Sequence, residues 1–349
     1  MSKAAAKALS NTELSAFCGQ MALILKSGIS ATEGIDTMLE DTEDPEEQAI
    51  LNQIRDQLFE TNSLYESLKA TGLYPGYLLQ MVRIGEETGT LDEVLDGLSR
   101  HYEREEAIAR TIRNSITFPA IMAVMMLIVI FVLLVRVMPV FNQVYRQLGT
   151  EMTGFSKALL NIGSAIDRYS FVLIILAVLV AVFVLYGTRT DSGKKFFKKI
   201  GHAFPFIRRM NERLSVCRFT GGMALGLKSG LDSEQSLGLA ADLCEDEDFS
   251  KKLKQVQEDT AAGADFAQAL HRAEVVSGIS ARMVSIGSKT GTMPEVMDRI
   301  AQLTQDEIDT RLNNILSKLE PILVIVLSVI VGAILLSVML PLMGIMSSI

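Results

Sequence analysis

Three stretches of this 349-residue sequence are longer and more apolar than the helices of ordinary soluble proteins. They are Ser115–Val135, Tyr169–Thr188 and Pro321–Ile349, and none of them contains a charged side chain. A helix needs about 20 apolar residues to cross the hydrocarbon core of a bilayer, so each stretch is long enough to span it. The sequence therefore predicts an integral membrane protein with three spanning helices, and a soluble helical core is a poor alternative.

The positions of lysine and arginine predict how the chain is oriented in the membrane. Eight of these residues lie between Arg189 and Arg213, whereas the segment 138–168 contains only three. Positively charged segments tend to stay on the cytosolic side, so we expect the N-terminal region and residues 189–319 to be cytosolic. The link between the first two spans and the C-terminus would then lie on the outer side. The start of the chain has no contiguous apolar region after its lysines, so no cleavable signal is expected.

The two halves of the chain repeat one sequence pattern at a constant offset of 202 residues. The segment FCGQMALILKSGISATEGID, which begins at Phe17, corresponds to FTGGMALGLKSGLDSEQSLG, which begins at Phe219. MVRIGEETGTLDEVLD, from Met81, corresponds in the same way to MVSIGSKTGTMPEVMD, from Met283. The offset also pairs the prolines of the first and third apolar stretches. The repeated unit is therefore a cytosolic module with its membrane anchor attached. The second span lies outside this unit and returns the chain to the cytosolic side. Residues 202 apart are called mates from here on.

Signals for helix ends recur in both copies and predict six helices per copy. Ser30 and Glu33, like their mates Asp232 and Gln235, have the spacing of a capping box, in which each side chain satisfies a free backbone N–H. In the first copy we expect helices over 13–27, 31–40 and 45–60, a short one after Ser63, one over 75–85 and a long one from 90 into the membrane. Apolar residues recur with helical spacing, and strand signals are missing. The predicted fold is an all-α membrane protein with two homologous six-helix cytosolic bundles and three transmembrane helices.

No motif in the sequence indicates an enzyme, a cofactor site or a metal site. The three histidines, His101, His202 and His271, are far apart, and no phosphate-binding loop, nucleophile elbow or HExxH motif is present. The Gly-rich segment Ile84–Thr90 lacks the lysine of a phosphate loop, so we predict a turn between two helices there. The cysteines have no metal-ligand spacing. We therefore expect no catalytic residue, no cofactor and no metal.

Acidic residues are concentrated in the first copy. Residues 1–113 contain 20 acidic and 10 basic side chains, whereas residues 189–320 contain 19 of each. This difference suggests different partners for the two copies, and a nucleic-acid partner is not expected for so acidic a module. The acidic loops Glu40–Glu47 and Glu245–Asp248 fit either a divalent-cation site or solvated carboxylates at a helix N-terminus, and the second interpretation is favoured. The basic segment 194–199 could contact anionic lipid of the bilayer.

Several of these motifs together resemble a known family of membrane proteins. They are the F-x-x-x-M-A-x-x-L-K-S-G element from Phe17 and from Phe219, the I-G-x-x-T-G-T element from Ile84 and from Ile286, and Leu319–Glu320–Pro321 at the entry to the last span. In this register they are similar to the platform proteins of type II secretion and type IV pilus machines, the GspF/PilC group. The resemblance covers about residues 13–346.

The resemblance implies a function without catalysis. A platform protein of this kind is expected to lie in the bacterial inner membrane as a homo-oligomer, here with a cytosolic N-terminus and a periplasmic C-terminus. It would couple a hexameric cytosolic assembly ATPase to the addition of pilins or pseudopilins, with inner-membrane alignment proteins as further partners. The short N-terminal tail favours a pilus over a secretion pseudopilus, although the motifs fit both.

The resemblance also singles out residues for a partner contact. Glu86 and Glu87 in the first I-G-x-x-T-G-T element are the predicted contact with the ATPase, and reversing their charge is expected to abolish co-purification without unfolding the protein. The sequence departs from the family pattern at Gly287–Ser288, where the second copy has no glutamate, and at Phe118–Pro119, where the family has Tyr-Pro. If the glutamate of this element binds a partner, only the first copy retains it.

These observations define the predicted domains. They are module 1 (1–116), the first transmembrane helix (117–138), the outer link (139–168), the second transmembrane helix (169–188), module 2 (189–319), and the third transmembrane helix with the C-terminus (320–349). A small transporter built from repeats is a weaker alternative because the number of spans is odd and no Asp, Glu or His lies in the middle of a span. A membrane receptor is weaker still, because the outer link is short for a sensor.

Overall fold

In the computed structural model the described residues are 9–147, Asn161, 205–244 and 246–346. Nearly all of them are helical, and these ranges contain no β-strand, which confirms the all-α prediction. The chain separates into two compact units, one formed by Met1–Arg110 with Arg209–Asp309 and the other by Thr111–Arg208 with Thr310–Ile349. The first unit holds the helical bundles of both modules.

Module 1 has the six helices that the sequence predicts. They are α1 (Asn11–Lys26), α2 (Ala31–Asp41), α3 (Pro45–Thr61), α4 (Leu64–Thr71), α5 (Gly76–Thr88) and α6 (Leu91–Val132). Consecutive helices from α1 to α5 pack against one another. A π-helical segment, Leu133–Val137, follows α6 and leads into α7 (Met138–Gln147). This segment lies just before Pro139, which has no N–H to donate within a regular helix.

Module 2 repeats this plan. Its helices are α8 (Pro205–Lys228), α9 (Ser233–Asp242), α10 (Glu247–Ala261), α11 (Phe266–Arg272), α12 (Gly278–Thr290) and α13 (Met293–Met346). The bounds of α12 are those of α5 shifted by 202 residues. The two modules therefore share one helical arrangement, as the internal repeat predicts.

Local hydrogen bonds set the helix ends at the predicted positions. The hydroxyl of Ser30 accepts from the N–H of Glu33, whose carboxylate accepts in turn from the N–H of Ser30, so the capping box is complete. Its mate Asp232 also accepts a backbone N–H, at 2.8 Å. Gly28 and Gly230 follow α1 and α8 with φ of 79° and 84°, a left-handed conformation that glycine adopts without steric cost.

The fifth helix is longer than predicted. We expected it to end at Gly85, but it continues for three more residues, and Gly89 ends it with φ of 74°. A Cβ on Gly85 would lie 3.0 Å from Cα of Leu91 and 3.1 Å from the side chain of Val94. This glycine is therefore required by close packing of α5 on the start of α6, and it does not mark a helix end. The predicted turn is confined to the last residues of its segment.

Each module has a hydrophobic core of its own. Met21, Ile54 and Leu95 are fully buried in module 1, and Phe219 and Val256 are fully buried in module 2. Burying a side chain of this size contributes about 2 kcal/mol, so each core stabilises its bundle substantially. One side chain of module 2, Leu225, is buried within the core of module 1, and Leu239 and Leu243 of module 2 pack against that core.

Two described helices are long and apolar enough to cross a membrane, over Leu91–Val144 and Met293–Leu336. Their apolar parts expose large hydrophobic side chains, such as Ile121 and Val329, which is typical of helices that contact lipid. In the second unit a small apolar cavity of about 110 Å³ lies between the two helices. It is lined by Met122, Met125, Met126, Val129, Leu323, Val324 and Leu327. The predicted second span, 169–188, lies outside the described residues, so the count of three spans stays a prediction.

Candidate functional site

Glu86, one of the two predicted contact residues, is engaged inside module 1. Its carboxylate accepts hydrogen bonds from the hydroxyl of Ser63 at 2.8 Å, from the N–H of Leu64, and from the N–H of Tyr65 at 3.4 Å. These N–H groups belong to the free N-terminus of α4, where the helix dipole stabilises a negative charge. Glu86 therefore holds the end of α5 against the start of α4. Its contact with a partner remains a prediction.

In each module the end of the fifth helix meets the start of the fourth helix, and we call this meeting point the corner. Module 1 has its carboxylate on the fifth helix, whereas module 2 has it at the start of the fourth. The mate of Glu86 is Ser288, and the mate of Ser63 is Asp265. Asp265 accepts the N–H of Gln268 at 3.0 Å, and the hydroxyl of Ser288 lies 3.5 Å from the Asp265 carboxylate. Each module thus has one carboxylate and one hydroxyl at the start of its fourth helix, with their positions exchanged. This exchange accounts for the departure of the second copy from the Gly-Glu pattern.

Glu87, the other predicted contact residue, lies on the surface. Its side chain is 68% exposed, and its carboxylate lies 3.6 Å from the guanidinium of Arg83, one turn earlier in α5. An exposed pair of this kind contributes at most about 1 kcal/mol, so Glu87 is available to a partner at little cost to the fold. Its mate Lys289 is also exposed. The two modules therefore present opposite charges at this position.

A salt bridge joins the two repeated motifs within each module. The ammonium of Lys26 lies 3.3 Å from the carboxylate of Asp96, and Lys228 lies 3.3 Å from Asp298. In each case the lysine belongs to the repeated segment that begins at Phe17 or Phe219. The aspartate is the last residue of the repeated segment that begins at Met81 or Met283, 70 residues further along the chain than the lysine. Burial alone would raise the pKa of Asp298, but Lys228 and Arg104 outweigh it and lower that pKa below its usual value. Sequence reasoning identified both motifs but missed this contact.

Charged side chains also join module 1 to module 2 within the first unit. The guanidinium of Arg218, on α8, donates to both carboxylate oxygens of Glu105, on α6, at 2.8–3.1 Å. The guanidinium of Arg104, next to Glu105, lies 3.3 Å from the carboxylate of Asp298 in module 2. The same carboxylate forms the ion pair with Lys228. The side chains of Glu105 and Arg104 are only 15% and 16% exposed. Bidentate pairs with little solvent around them are the stronger ion pairs in proteins, so these contacts fix the junction.

A leucine from module 2 enters the core of module 1 beside these pairs. Leu225 of α8 is buried among the core side chains of module 1, and it lies over Gly97 of α6. A Cβ on Gly97 would come 2.2 Å from Cδ1 of Leu225, so the absence of a side chain there makes room for the leucine. No sequence signal marked this contact, because Gly97 looks like an ordinary glycine within a helix.

The junction encloses a cavity of about 360 Å³. It is lined by Glu93, Asp96, Gly97, Arg100, His101, Arg104, Gly221, Ala224, Leu225, Lys228, Ser229, Glu295 and Asp298. His101 is the one histidine in this lining, and its ring packs against that of Tyr77 at 5.4 Å between centroids, tilted by 48°. Burial lowers the pKa of His101 to about 4, so the imidazole is neutral at physiological pH. The cavity is therefore a charged cleft with an uncharged histidine in its wall.

The acidic loops supply helix caps. Asp44 accepts the N–H of Glu46 at 2.9 Å at the start of α3, and Asp246 accepts the N–H of Phe249 at 2.9 Å at the start of α10. This is the arrangement that the favoured interpretation of these loops predicts, with carboxylates at helix N-termini. Glu245 lies outside the described residues. In the described part of the chain, no three His, Cys, Asp or Glu side chains are grouped in a way that could hold a metal ion.

The three cysteines are free and buried: Cys18 lies in α1, Cys217 in α8, and Cys244 in the loop between α9 and α10. Burial raises the pKa of the Cys18 thiol to about 12, that of Cys217 to about 11 and that of Cys244 to about 12. Since the thiolate is the reactive form, we expect these side chains to react slowly with thiol reagents in the folded protein.

Comparison with known proteins gives the two modules a common identity. The model of the family "Type II secretion system (T2SS), protein F" matches residues 17–139 and again residues 219–341. The two matches are 202 residues apart, like the repeat in the sequence. Each match begins in the first helix of a module; the first match ends at the start of α7 and the second ends in α13.

Individual relatives are similar to the chain over nearly its whole length. The type IV pilus assembly protein PilC of Myxococcus xanthus is 24% identical over 95% of this chain and 80% of its own length. PilC of Thermus thermophilus is 26% identical, over 96% and 83%. The type II secretion system protein F of Aeromonas hydrophila is 20% identical, over 96% and 86%. The similarity therefore extends to proteins of both kinds of machine.

Proposed function

This chain belongs to the type II secretion system protein F family, and we propose that it is the inner-membrane platform protein of a type IV pilus or type II secretion machine. The observation that carries the proposal is the double match to the family, with each copy folded as a six-helix bundle that continues into an apolar helix. The names of its relatives, pilus assembly protein and secretion system protein, support the platform role.

The proposed task is mechanical coupling without catalysis. A cytosolic hexameric ATPase drives pilin or pseudopilin addition, and this chain, as a homo-oligomer in the bilayer with alignment proteins beside it, transmits the movement to the base of the fibre. The ion pairs at the junction support such a role, because they hold the two modules of one chain together and let them move as one body. In this proposal modules 1–116 and 189–319 are cytosolic. The chain crosses the membrane at 117–138, 169–188 and 320–349, and its C-terminus is periplasmic.

Deletion of the gene tests the platform role directly. We expect loss of surface fibres, or of secreted substrate, with full recovery when the wild-type chain is supplied from a plasmid. Uptake of small solutes should not change, since the ion and proton pathways of transporters use ionisable groups in the middle of their spans, and these spans have no Asp, Glu or His there. Fibres and secretion that persist unchanged in the deletion strain would refute the proposal.

The contact with the ATPase is proposed to lie at Glu87. Glu87→Lys should reduce co-purification of the ATPase at least about ten-fold, because a reversed charge in a contact costs more than about 1.4 kcal/mol. The fold should be unaffected, since the side chain is exposed and forms only a long ion pair with Arg83. Glu86 is unsuitable for this test because its carboxylate caps α4.

The repeat supplies a matched control for the Glu87 variant. Lys289→Glu reverses the charge at the mate position, on the same turn of the corresponding helix. If the acidic corner of module 1 alone binds the ATPase, the Lys289→Glu variant should co-purify the ATPase as the wild type does. Equal co-purification by wild type and by the Glu87→Lys variant would exclude Glu87 from the contact.

A further inference from the structure

The corner of module 1 has a shallow groove beside Glu87. Its volume is about 480 Å³, and it is lined by Leu25, Asn62, Gly85, Glu86, Gly89, Leu91 and Asp92. The half-buried side chains of Leu25 and Leu91 supply its apolar surface. Glu86 and Asp92 add two carboxylates, and the lining residues include no lysine or arginine. We call this concavity the corner groove.

Two polar side chains of the corner groove have no partner in the described part of the chain. Glu86 is engaged, because its carboxylate accepts hydrogen bonds from the start of α4. Within residues 9–147, 205–244 and 246–346, neither the Asp92 carboxylate nor the side-chain amide of Asn62 forms a hydrogen bond or an ion pair. A side chain with several N–H groups that entered the groove would therefore find two free acceptors, one of them charged.

Helix ends add negative partial charge to the corner groove. The helices α1, α3 and α5 end at its lining residues, whereas α6 begins there, and the N-terminus of α4 is already capped by Glu86. The last carbonyl groups of a helix have no partner within it and carry a negative partial charge. Three such ends outweigh the single N-terminus of α6. The groove therefore favours a cation that can donate several hydrogen bonds.

An exposed aromatic side chain lies next to the corner groove in the sequence of α3. Phe59 precedes Asn62 by three residues and is 67% exposed. Residues at this spacing are neighbours on a helix surface. Aromatic side chains and arginine are enriched in contacts between proteins. The combination of an exposed phenyl ring and a groove for a cation therefore indicates a protein partner rather than a free ion.

Module 2 has the same corner without these features. Its groove positions keep a leucine and both glycines, as Leu227, Gly287 and Gly291. The aromatic ring, the amide and the carboxylates are all replaced: the mates of Phe59, Asn62, Glu86, Glu87 and Asp92 are Ala261, Ala264, Ser288, Lys289 and Pro294. Since module 2 folds without a phenyl ring, an amide or a carboxylate at the first, second and last of these positions, a corner does not need them for folding. The backbone of the corner is shared, but the chemistry of the groove belongs to module 1 alone.

We propose that the corner groove receives an arginine side chain of the protein that contacts Glu87. In this contact the guanidinium donates to Asp92, to Asn62 and to carbonyl groups at the helix ends, and its methylene groups lie on the two leucines of the groove. Arginine fits better than lysine because its planar group donates in several fixed directions at once. Phe59 packs on an apolar patch beside that arginine. The identity of the partner as the assembly ATPase rests on the proposed function.

Binding of an arginine probe tests the groove in the absence of the ATPase. The full-length chain in detergent is titrated with N-acetyl-arginine methylamide, and saturation-transfer NMR detects the bound probe. N-acetyl-citrulline methylamide has the same shape without the charge, so its signal should be about ten-fold weaker. Asp92→Asn keeps the size of the side chain and should weaken the arginine signal to a similar extent. Glu46→Gln removes the same charge at the far end of α3 from Asn62 and should leave the signal unchanged.

Co-purification of the ATPase tests the contact itself. Phe59→Ala, which copies the mate Ala261, and Asp92→Asn should each lower co-purification about ten-fold, whereas Glu46→Gln should not change it. The inference would be overturned by an arginine signal that is missing, that citrulline equals or that survives Asp92→Asn. ATPase retained by both variants would overturn it as well. None of these results would touch the platform role, which is tested by fibres and secretion in the deletion strain.

Discussion

Replacing Arg218 by glutamate is expected to lower the free energy of unfolding by about 3 kcal/mol, since breaking a little-exposed ion pair leaves its partner charge uncompensated. The partner is Glu105, whose two carboxylate oxygens both accept hydrogen bonds from the guanidinium and whose side chain is 15% exposed. The variant would place two carboxylates together in the junction of the modules. Thermal unfolding of the purified chain should show a lower midpoint, and limited proteolysis should cut the helices of the junction faster.

Two further variants test whether loss of the ion pair at the junction causes the expected destabilisation. Arg213→Glu makes the same change on the same helix, at an exposed pair with Glu307 that lies within module 2. That change should cost no more than about 1 kcal/mol. The double variant Glu105→Arg with Arg218→Glu restores opposite charges and should recover most of the lost stability. If Arg218→Glu and Arg213→Glu destabilise equally, the junction does not depend on this ion pair.

Glu86→Ser is expected to cost about 2 kcal/mol, because the N-terminus of α4 loses its charge-assisted hydrogen bonds. The change copies the residue that module 2 has at this corner. Ser63→Asp, made alone, should also destabilise, because its carboxylate would face that of Glu86 across the distance now occupied by a 2.8 Å hydrogen bond. Denaturant unfolding of the detergent-solubilised chain, followed by loss of helix signal, measures both effects.

Combining the two changes should restore stability. Ser63→Asp with Glu86→Ser reproduces the pair Asp265 and Ser288, whose side chains lie 3.5 Å apart in module 2. The double variant should therefore unfold close to the wild type, with a favourable coupling energy of about 2 kcal/mol in the mutant cycle. Additive losses from the two single changes would show that Glu86 does not act through the start of α4.

The parts of the fold that depend on local signals were predictable. Capping residues such as Ser30 act over three residues, and the apolar spacing of each helix is visible in the sequence, so the order of the helices follows from the sequence. The end of α5 was predicted three residues early because Gly85 resembles a helix terminator. Its actual role depends on Leu91 and Val94, which approach it only in the folded chain.

The candidate site was less predictable because its contacts are long-range. Glu86 was identified from its motif, but the N–H groups that it binds lie 22 and 21 residues earlier in the chain. Lys26 and Asp96 belong to motifs that were both recognised, yet nothing local shows that they meet. The junction is harder still, because the repeat suggests two equivalent modules. Leu225 is buried at the junction, whereas its mate Leu23 is exposed, and this difference arises from how the modules pack, which the shared pattern does not encode.

Recombination between the halves of a duplicated gene tends to make the halves alike, and the two corners limit how this can happen here. Copying the codon for Asp265 into position 63 alone would set two carboxylates against each other beside Glu86. Copying the codon for Ser63 into position 265 alone would leave that corner of module 2 with none. A copied stretch of DNA preserves the hydrogen bonds of the corner only if it carries both positions, 63 with 86 or 265 with 288. We therefore expect natural variants of this gene to exchange the two corners as whole blocks, and single exchanges to be purged by selection.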